Sequence, residues 1–164
     1  YINKDTIKMF EAQNVLTARE AEARYEVLNE IFVKKLQIEA RVLGDLTVNH
    51  IIPTAIRFQN SLINNVHGIK ELFPDDYQQM CTTQLKLLKK ISRYINELQT
   101  LVHDMIDARK VANVITDIPT KAATYYDTVY PFMDKIRVIA DKLEMVVDDE
   151  LWPLPKYREM LFLR

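Results

Sequence analysis

Residues 77–112 read YQQMCTTQLKLLKKISRYINELQTLVHDMIDARKVA. Steps of four and three from the first of them select Tyr77, Cys81, Gln84, Leu88, Ile91, Ile95, Leu98, Val102, Met105, Arg109 and Ala112. That is a largely apolar stripe in unbroken helical register. The stretch holds neither Gly nor Pro, so the spacing predicts one straight helix of about 54 Å at a rise of about 1.5 Å per residue. A helix that long with one apolar stripe is stable only when other helices cover the stripe.

Immediately before it, Phe73-Pro74-Asp75-Asp76 breaks the chain and offers Asp75 or Asp76 as a cap. So short a link predicts an antiparallel hairpin with the helix upstream. That helix starts at the capping box Thr17-Ala18-Arg19-Glu20, where the hydroxyl and the carboxylate satisfy backbone N–H groups reciprocally. Its stripe runs through Tyr25, Leu28, Phe32, Leu36, Ala40, Leu43, Thr47, Ile51, Ala55, Phe58, Leu62, Val66, Ile69 and Phe73. Pro53 lies inside the stripe, yet the phase survives it, which predicts one helix kinked there, with a helix-turn-helix as the alternative. Gly44 and Gly68 fall in the same helix, where close backbone contact with a neighbour is the expected reason for them. A short helix from Thr6 to about Ala12, capped by Asp5, precedes it.

After the seam, Asp117 is placed to cap a third long helix with Pro119 in its first turn. Its stripe is Ala122, Tyr126, Val129, Met133, Ile136, Ala140, Leu143, Val147 and Leu151, with a bend at Pro131. Trp152-Pro153-Leu154-Pro155 must then be extended, and Lys156 to Leu163 suits a short helix. The expected fold is all-α: an elongated antiparallel bundle of three long helices, two of them kinked at proline, plus short terminal helices. Residues 1–16 form a connector, 17–150 the bundle and 151–164 a tail. Folding back from Pro74, the seam helix reaches only to about Leu36. The overhang from Ala18 to Leu36 still carries Tyr25, Leu28, Ile31 and Phe32, so the N-terminal connector, an adjoining domain or another subunit must cover it.

Composition limits what such a chain does. Among 164 residues, two Gly and six Pro leave few turns. A net charge of -1 gives no overall attraction to nucleic acid or to an acidic membrane. The single Cys81 cannot form an internal disulfide and suits a reducing cytoplasm. No apolar run is long enough to span a membrane. The first residue is Tyr1, which fits a segment of a longer chain.

The sequence carries few chemical signatures. Two isolated glycines cannot build a phosphate-cradling loop. His50, His67 and His103 lack the spacing that puts two metal ligands on one helical face. Cys81 has no identifiable base and reads as a buried thiol. Asp148, Asp149 and Glu150 are adjacent, point in different directions and read as surface charge, left at a helix C-terminus that Lys156, Arg158 or a partner's cations must offset. Lys86, Lys89, Lys90 and Arg93 form a basic cluster at helical spacing beside Tyr94; such a cluster can touch phosphate, but in a chain of slightly acidic balance it is read as a solvated face or a subunit contact. The tail's Trp152, Tyr157, Arg158 and Phe162 combine aromatics with a cation as interface anchors do, and with Tyr25 and Phe32 they are the candidate interface residues, the tail packing either on its own bundle or on a partner. No catalytic, cofactor-binding or metal-binding residue is identified, and these readings fit a self-standing adaptor or ligand-sensing bundle without enzymatic activity.

Three further stretches carry a resemblance: Val15-Leu16-Thr17-Ala18-Arg19-Glu20 with Glu22-Ala23-Arg24-Tyr25-Glu26-Val27; Ile38-Glu39-Ala40-Arg41-Val42-Leu43-Gly44-Asp45 running into Asn49-His50-Ile51-Ile52-Pro53-Thr54-Ala55-Ile56; and Asp148-Asp149-Glu150-Leu151-Trp152-Pro153-Leu154-Pro155-Lys156-Tyr157-Arg158-Glu159. Together they resemble the C-terminal helical domain of type III glutamine synthetases. The resemblance implies a cytoplasmic parent enzyme that condenses glutamate with ammonia using ATP and a divalent metal, magnesium or manganese, in a homo-oligomer of stacked rings. It implies that the catalytic ligands come from upstream domains, so none is carried onto this chain. The partners it implies are the parent's own catalytic domain and neighbouring subunits; the charge balance and the lack of a long apolar run predict no nucleic acid and no membrane.

Overall fold

The computed structural model describes residues 2–161, with only the backbone of Tyr157 and Arg158. The described residues are helical or in turns, with no strand among them. The helices are α1 (Lys4–Ala12), α2 (Ala18–Leu46), α3 (Ile52–Leu72), α4 (Tyr77–Met80), α5 (Thr82–Asn113), α6 (Ile118–Thr124), α7 (Tyr130–Glu144) and α8 (Tyr157–Leu161). Two π-helical turns, Thr47–Ile51 and Tyr125–Val129, link α2 to α3 and α6 to α7. The chain forms two compact units, Tyr1–Arg41 with Met105–Pro131, and Val42–Asp104 with Phe132–Arg164.

Both π turns sit just ahead of a proline, and proline chemistry explains them. In an α-helix the ring of Pro53 would strike the carbonyl of Asn49 four residues back, and its nitrogen has no proton to donate. The chain answers by widening one turn: the N–H of Ile52 bonds the carbonyl of Thr47, five residues back. The N–H of Tyr130 bonds that of Tyr125 in the same way just before Pro131. Helical turns therefore run from Ala18 to Leu72 and from Ile118 to Glu144, and the helix-turn-helix alternative at Pro53 is not found. Each π turn buries its first and last residues, Thr47 with Ile51 and Tyr125 with Val129.

That widening corrects the predicted stripe of the last long segment. Periodicity places Tyr126 in the core, but the π turn brings Tyr125 inward, fully buried, and leaves Tyr126 59% exposed. The segment also ends earlier than its periodicity implies. α7 stops at Glu144, and Val147 is buried from a turn in which its N–H bonds the Leu143 carbonyl at 2.9 Å.

In the first unit, Asn3 and not Asp5 caps α1, its Oδ1 accepting from the Thr6 N–H at 2.7 Å. The helix ends on Asn14 at φ 53, where the Val15 N–H bonds the Phe10 carbonyl and the Asn14 N–H bonds that of Glu11, a Schellman closure with Asn in the usual Gly place. The capping box at α2 forms as the sequence predicts: the Thr17 N–H donates to Glu20 Oε2 at 2.8 Å and the Glu20 N–H to Thr17 Oγ1 at 3.3 Å. The bond from the Thr17 backbone, then that from its hydroxyl, holds the Glu20 carboxyl below its ordinary range. Gln37 Nε2 donates to Asn113 Oδ1 at 2.8 Å, one residue beyond Leu36, the level that the length of the seam helix implies. Ala21, Val33, Leu36, Ala40, Met105 and Ala112 supply this unit's helix-face core.

In the second unit, Gln59 Nε2 donates to the Leu88 carbonyl and to Ser92 Oγ, while Gln84 Nε2 donates to Asn65 Oδ1. The partners descend along α5 as they ascend along α3, so these helices run antiparallel, as the short link at Pro74 demands. Cys81, Ile91, Leu98 and Val102 are 0–2% exposed, each apolar side chain contributing roughly 1.5–3 kcal/mol. The seam is interrupted at Cys81, a turn residue between α4 and α5, although its N–H still bonds the Tyr77 carbonyl at 2.8 Å. Asp76 precedes α4 without a side-chain capping bond, so neither aspartate of the link acts as the expected side-chain cap. The two buried threonines are satisfied, Thr47 Oγ1 donating to the Leu43 carbonyl and Thr54 Oγ1 accepting from Arg57 Nη2.

Gly68 departs from its expected reason. A Cβ placed there meets nothing within 4 Å, and its φ is not positive. Gly68→Ala should therefore stabilise the protein by about 0.5–1 kcal/mol, read from the denaturant midpoint. Asp117 caps α6 as predicted, accepting from the Thr120 N–H at 3.0 Å and from the Thr120 hydroxyl. The hydroxyl bond, then the backbone bond, lowers its pKa. A carboxyl with a depressed folded pKa stabilises above its unfolded pKa and loses that contribution as pH falls through the folded value. The destabilisation caused by Asp117→Ala, measured by unfolding at a series of pH values, should thus be full at neutrality and shrink below the usual carboxylate range.

Candidate functional site

The chemistry-bearing residues do not converge. Among the described residues no group of three or more His, Cys, Asp or Glu side chains is arranged to hold a metal ion. His50 and His103 are exposed, and His67 lies 3.4 Å from Glu71 on an open face of α3. Cys81 is a fully buried free thiol. No helix among the described residues is long and apolar enough to cross a membrane. The informative features are surfaces.

The first surface belongs to α2. The helix buries Ala21, Val33, Leu36 and Ala40 on one side, while Val27, Leu28, Ile31 and Ile38 are 45–62% exposed. At about 100° per residue, Val27, Ile31 and Ile38 project on the side opposite the buried set. Ala23, Arg24, Val27 and Leu28 line a shallow depression of about 350 Å³. Leu28 and Ile31 belong to the overhang expected to be uncovered; Val27 and Ile38 lie off the core stripe and are not reached by that argument. The signal for them is a second apolar periodicity on the same helix. Tyr25 and Phe32 prove half-buried at the edge of the core face, and the Tyr25 carbonyl accepts from Asn29 Nδ2 at 2.9 Å.

The second feature is the tail. Trp152 is 9% exposed and so buried. The acidic trio lies in the turns beyond α7, where Lys156 answers it: its Nζ pairs with Asp149 and reaches the Glu144 carbonyl, at the end of α7, at 3.5 Å. Asp148 accepts from the Glu150 N–H at 2.9 Å, which leaves Asp148 and Glu150 on the outside of a pinned turn. α8 is the last helix of the tail, and Phe162 lies outside the described residues, as do the side chains of Tyr157 and Arg158.

The third is the basic cluster on α5. Lys86, Lys89, Lys90 and Arg93 are exposed, and none is ion-paired among the described residues. Tyr94, 6% exposed, lies beneath two of them, with the Arg93 guanidinium carbon 5.1 Å and Lys90 Nζ 5.8 Å from its ring centre. Strict seam register skips Tyr94; only its neighbours' charges point to it.

Within the first unit, Asn113 is the polar joint. Its Oδ1 accepts both from Gln37 and from the hydroxyl of buried Tyr125, at 2.8 and 2.7 Å. Arg109, on the same stretch of α5, has a buried Nε without a partner among the described residues. Asn113→Ala should cost about 1–3 kcal/mol because the Tyr125 hydroxyl is left buried and unpaired. Tyr125→Phe should cost less, and the double variant less than the sum, as a denaturant-unfolding cycle will read.

Comparison with known proteins adds what the geometry lacks. Residues 1–70 match the family described as glutamine synthetase C-terminal domain. The chain is 42% identical over 165 residues to a glutamine synthetase of Bacteroides fragilis, covering 100% of this chain and 23% of that protein. It is 29% identical over 163 residues to a type-3 glutamine synthetase of Dictyostelium discoideum, covering 99% of this chain and 22% of that protein. A Butyrivibrio fibrisolvens glutamine synthetase is 25% identical over 162 residues, covering 99% and 23%. The chain thus spans less than a quarter of each relative's length.

Proposed function

We propose, from the premise that this chain belongs to the glutamine synthetase C-terminal domain family, that it is a non-catalytic packing element of a cytoplasmic enzyme. The parent ligates ammonia to glutamate with ATP and a divalent metal, magnesium or manganese, supplied with ligands by parts of the protein other than this chain. Residues 17–150 act as an antiparallel three-helix bundle bent at Pro53 and Pro131, residues 1–16 as the connector and 151–164 as the tail. The bundle packs on the catalytic body and on neighbouring subunits and supports a homo-oligomer.

One observation carries this reading: α2 buries one side in its own unit and leaves Val27, Leu28, Ile31 and Ile38 on solvent-facing surface. Apolar side chains repeated along an exposed helix face are what an interface removes from water.

The test uses the full-length enzyme. Val27→Asp with Ile31→Asp places two charges on that face without touching the buried set. Particle mass by light scattering should fall by at least half while the far-ultraviolet circular dichroism stays that of the wild type. Unchanged mass with unchanged activity would remove the face from the assembly.

A further inference from the structure

We infer that the basic strip of α5 docks on the acidic turn at Asp148-Asp149-Glu150 of a second copy of this chain, and that the two contacts are made reciprocally. The inference rests on the assembly reading above and names the partner of a different surface. Lys86, Lys89, Lys90 and Arg93 follow helical spacing and span on the order of 10 Å along one face. They are the basic exception in a chain with 22 cations and 23 carboxylates. The buried ring of Tyr94 holds Lys90 and Arg93 in place, so less freedom is lost when an anion arrives.

The complement lies in the same compact unit. Asp148, Asp149 and Glu150 are consecutive and exposed, in a turn pinned by Lys156 through Asp149 and by the bond from the Glu150 N–H to Asp148. Asp148 and Glu150 have no ion pair among the described residues, and none of the four cations of the strip has one. A chain that carries an unpaired basic strip and a turn with two unpaired carboxylates, Asp148 and Glu150, offers opposite charges to its own copy: under a two-fold axis each strip meets the other copy's turn, and the contact closes. An extended polyanion fits less well, because the chain as a whole, at a net charge of -1, offers it no attraction beyond the strip. The groove beside Lys86 and Lys89, lined also by Tyr77, Gln78, Thr82 and Leu85, takes no contribution from Lys90 or Arg93, so a small anion there would leave half the strip unused.

The full-length protein tests this by sedimentation across a concentration series. Lys86→Glu, Lys89→Glu and Lys90→Glu together form one variant, and Asp148→Lys with Glu150→Lys a second. A third combines all five. Each reversal should raise the concentration at half-dissociation about tenfold or more, and the combination should bring it back to within about threefold of the wild type. All five sites are exposed, so an unaltered circular dichroism spectrum is expected throughout. Assembly that survives both reversals, or a combination no better than the worse single set, overturns this pairing and leaves the α2 reading standing. A wild-type protein that never self-associates overturns both.

Discussion

The apolar seam of α5 is the constraint on which the rest of the structure depends. Its residues belong to both compact units, Ile91 to Val102 in one and Met105 to Ala112 in the other. Each unit therefore forms only when other helices cover that seam. A helix of 32 residues has no route to stability through its own backbone bonds alone; the burial of Ile91, Leu98 and Met105 supplies what intrinsic propensity does not. Everything laid against it, from the glutamine bonds between α3 and α5 to the Asn113 joint, fixes register on a contact that hydrophobic burial already favours.

Two prolines shape the remaining long segments. Pro53 and Pro131 would each break an α-helix, and at each the chain inserts an i to i−5 bond just upstream. The widened turn admits the ring while keeping both flanks helical. It also changes the phase between one flank and the other, which is why Tyr125 is core and Tyr126 stacks outside on Tyr130, with ring centres 5.8 Å apart. Proline thus acts here to set the phase of a helix rather than to end it.

The surfaces complete the functional argument by their contrast with the interior. Buried polar side chains such as Thr47, Thr54 and Tyr125 find partners, whereas Val27, Leu28, Ile31 and Ile38 on α2 and the cations of the α5 strip are exposed. The similar glutamine synthetases of Bacteroides fragilis and Dictyostelium discoideum are more than four times this length.

Local chemistry made much of this legible in the sequence alone. The all-helical class, the Thr17/Glu20 box, the Asp117 cap, the burial of Cys81, Ile91, Leu98, Val102, Met105 and Ala112, and the family resemblance each rest on a few residues at fixed spacing. Tertiary structure decided the rest. Asn3 in place of Asp5 as cap, the uncapped link at Asp76, the end of α7 at Glu144 and the exchange of Tyr126 for Tyr125 depend on which backbone groups meet in space. So does the open space around Gly68. Periodicity reports which side of a helix is apolar, because side-chain direction repeats with the backbone. It does not report a one-residue widening ahead of a proline, or which of two apolar sides finds a cover, since both depend on neighbours brought close only by folding.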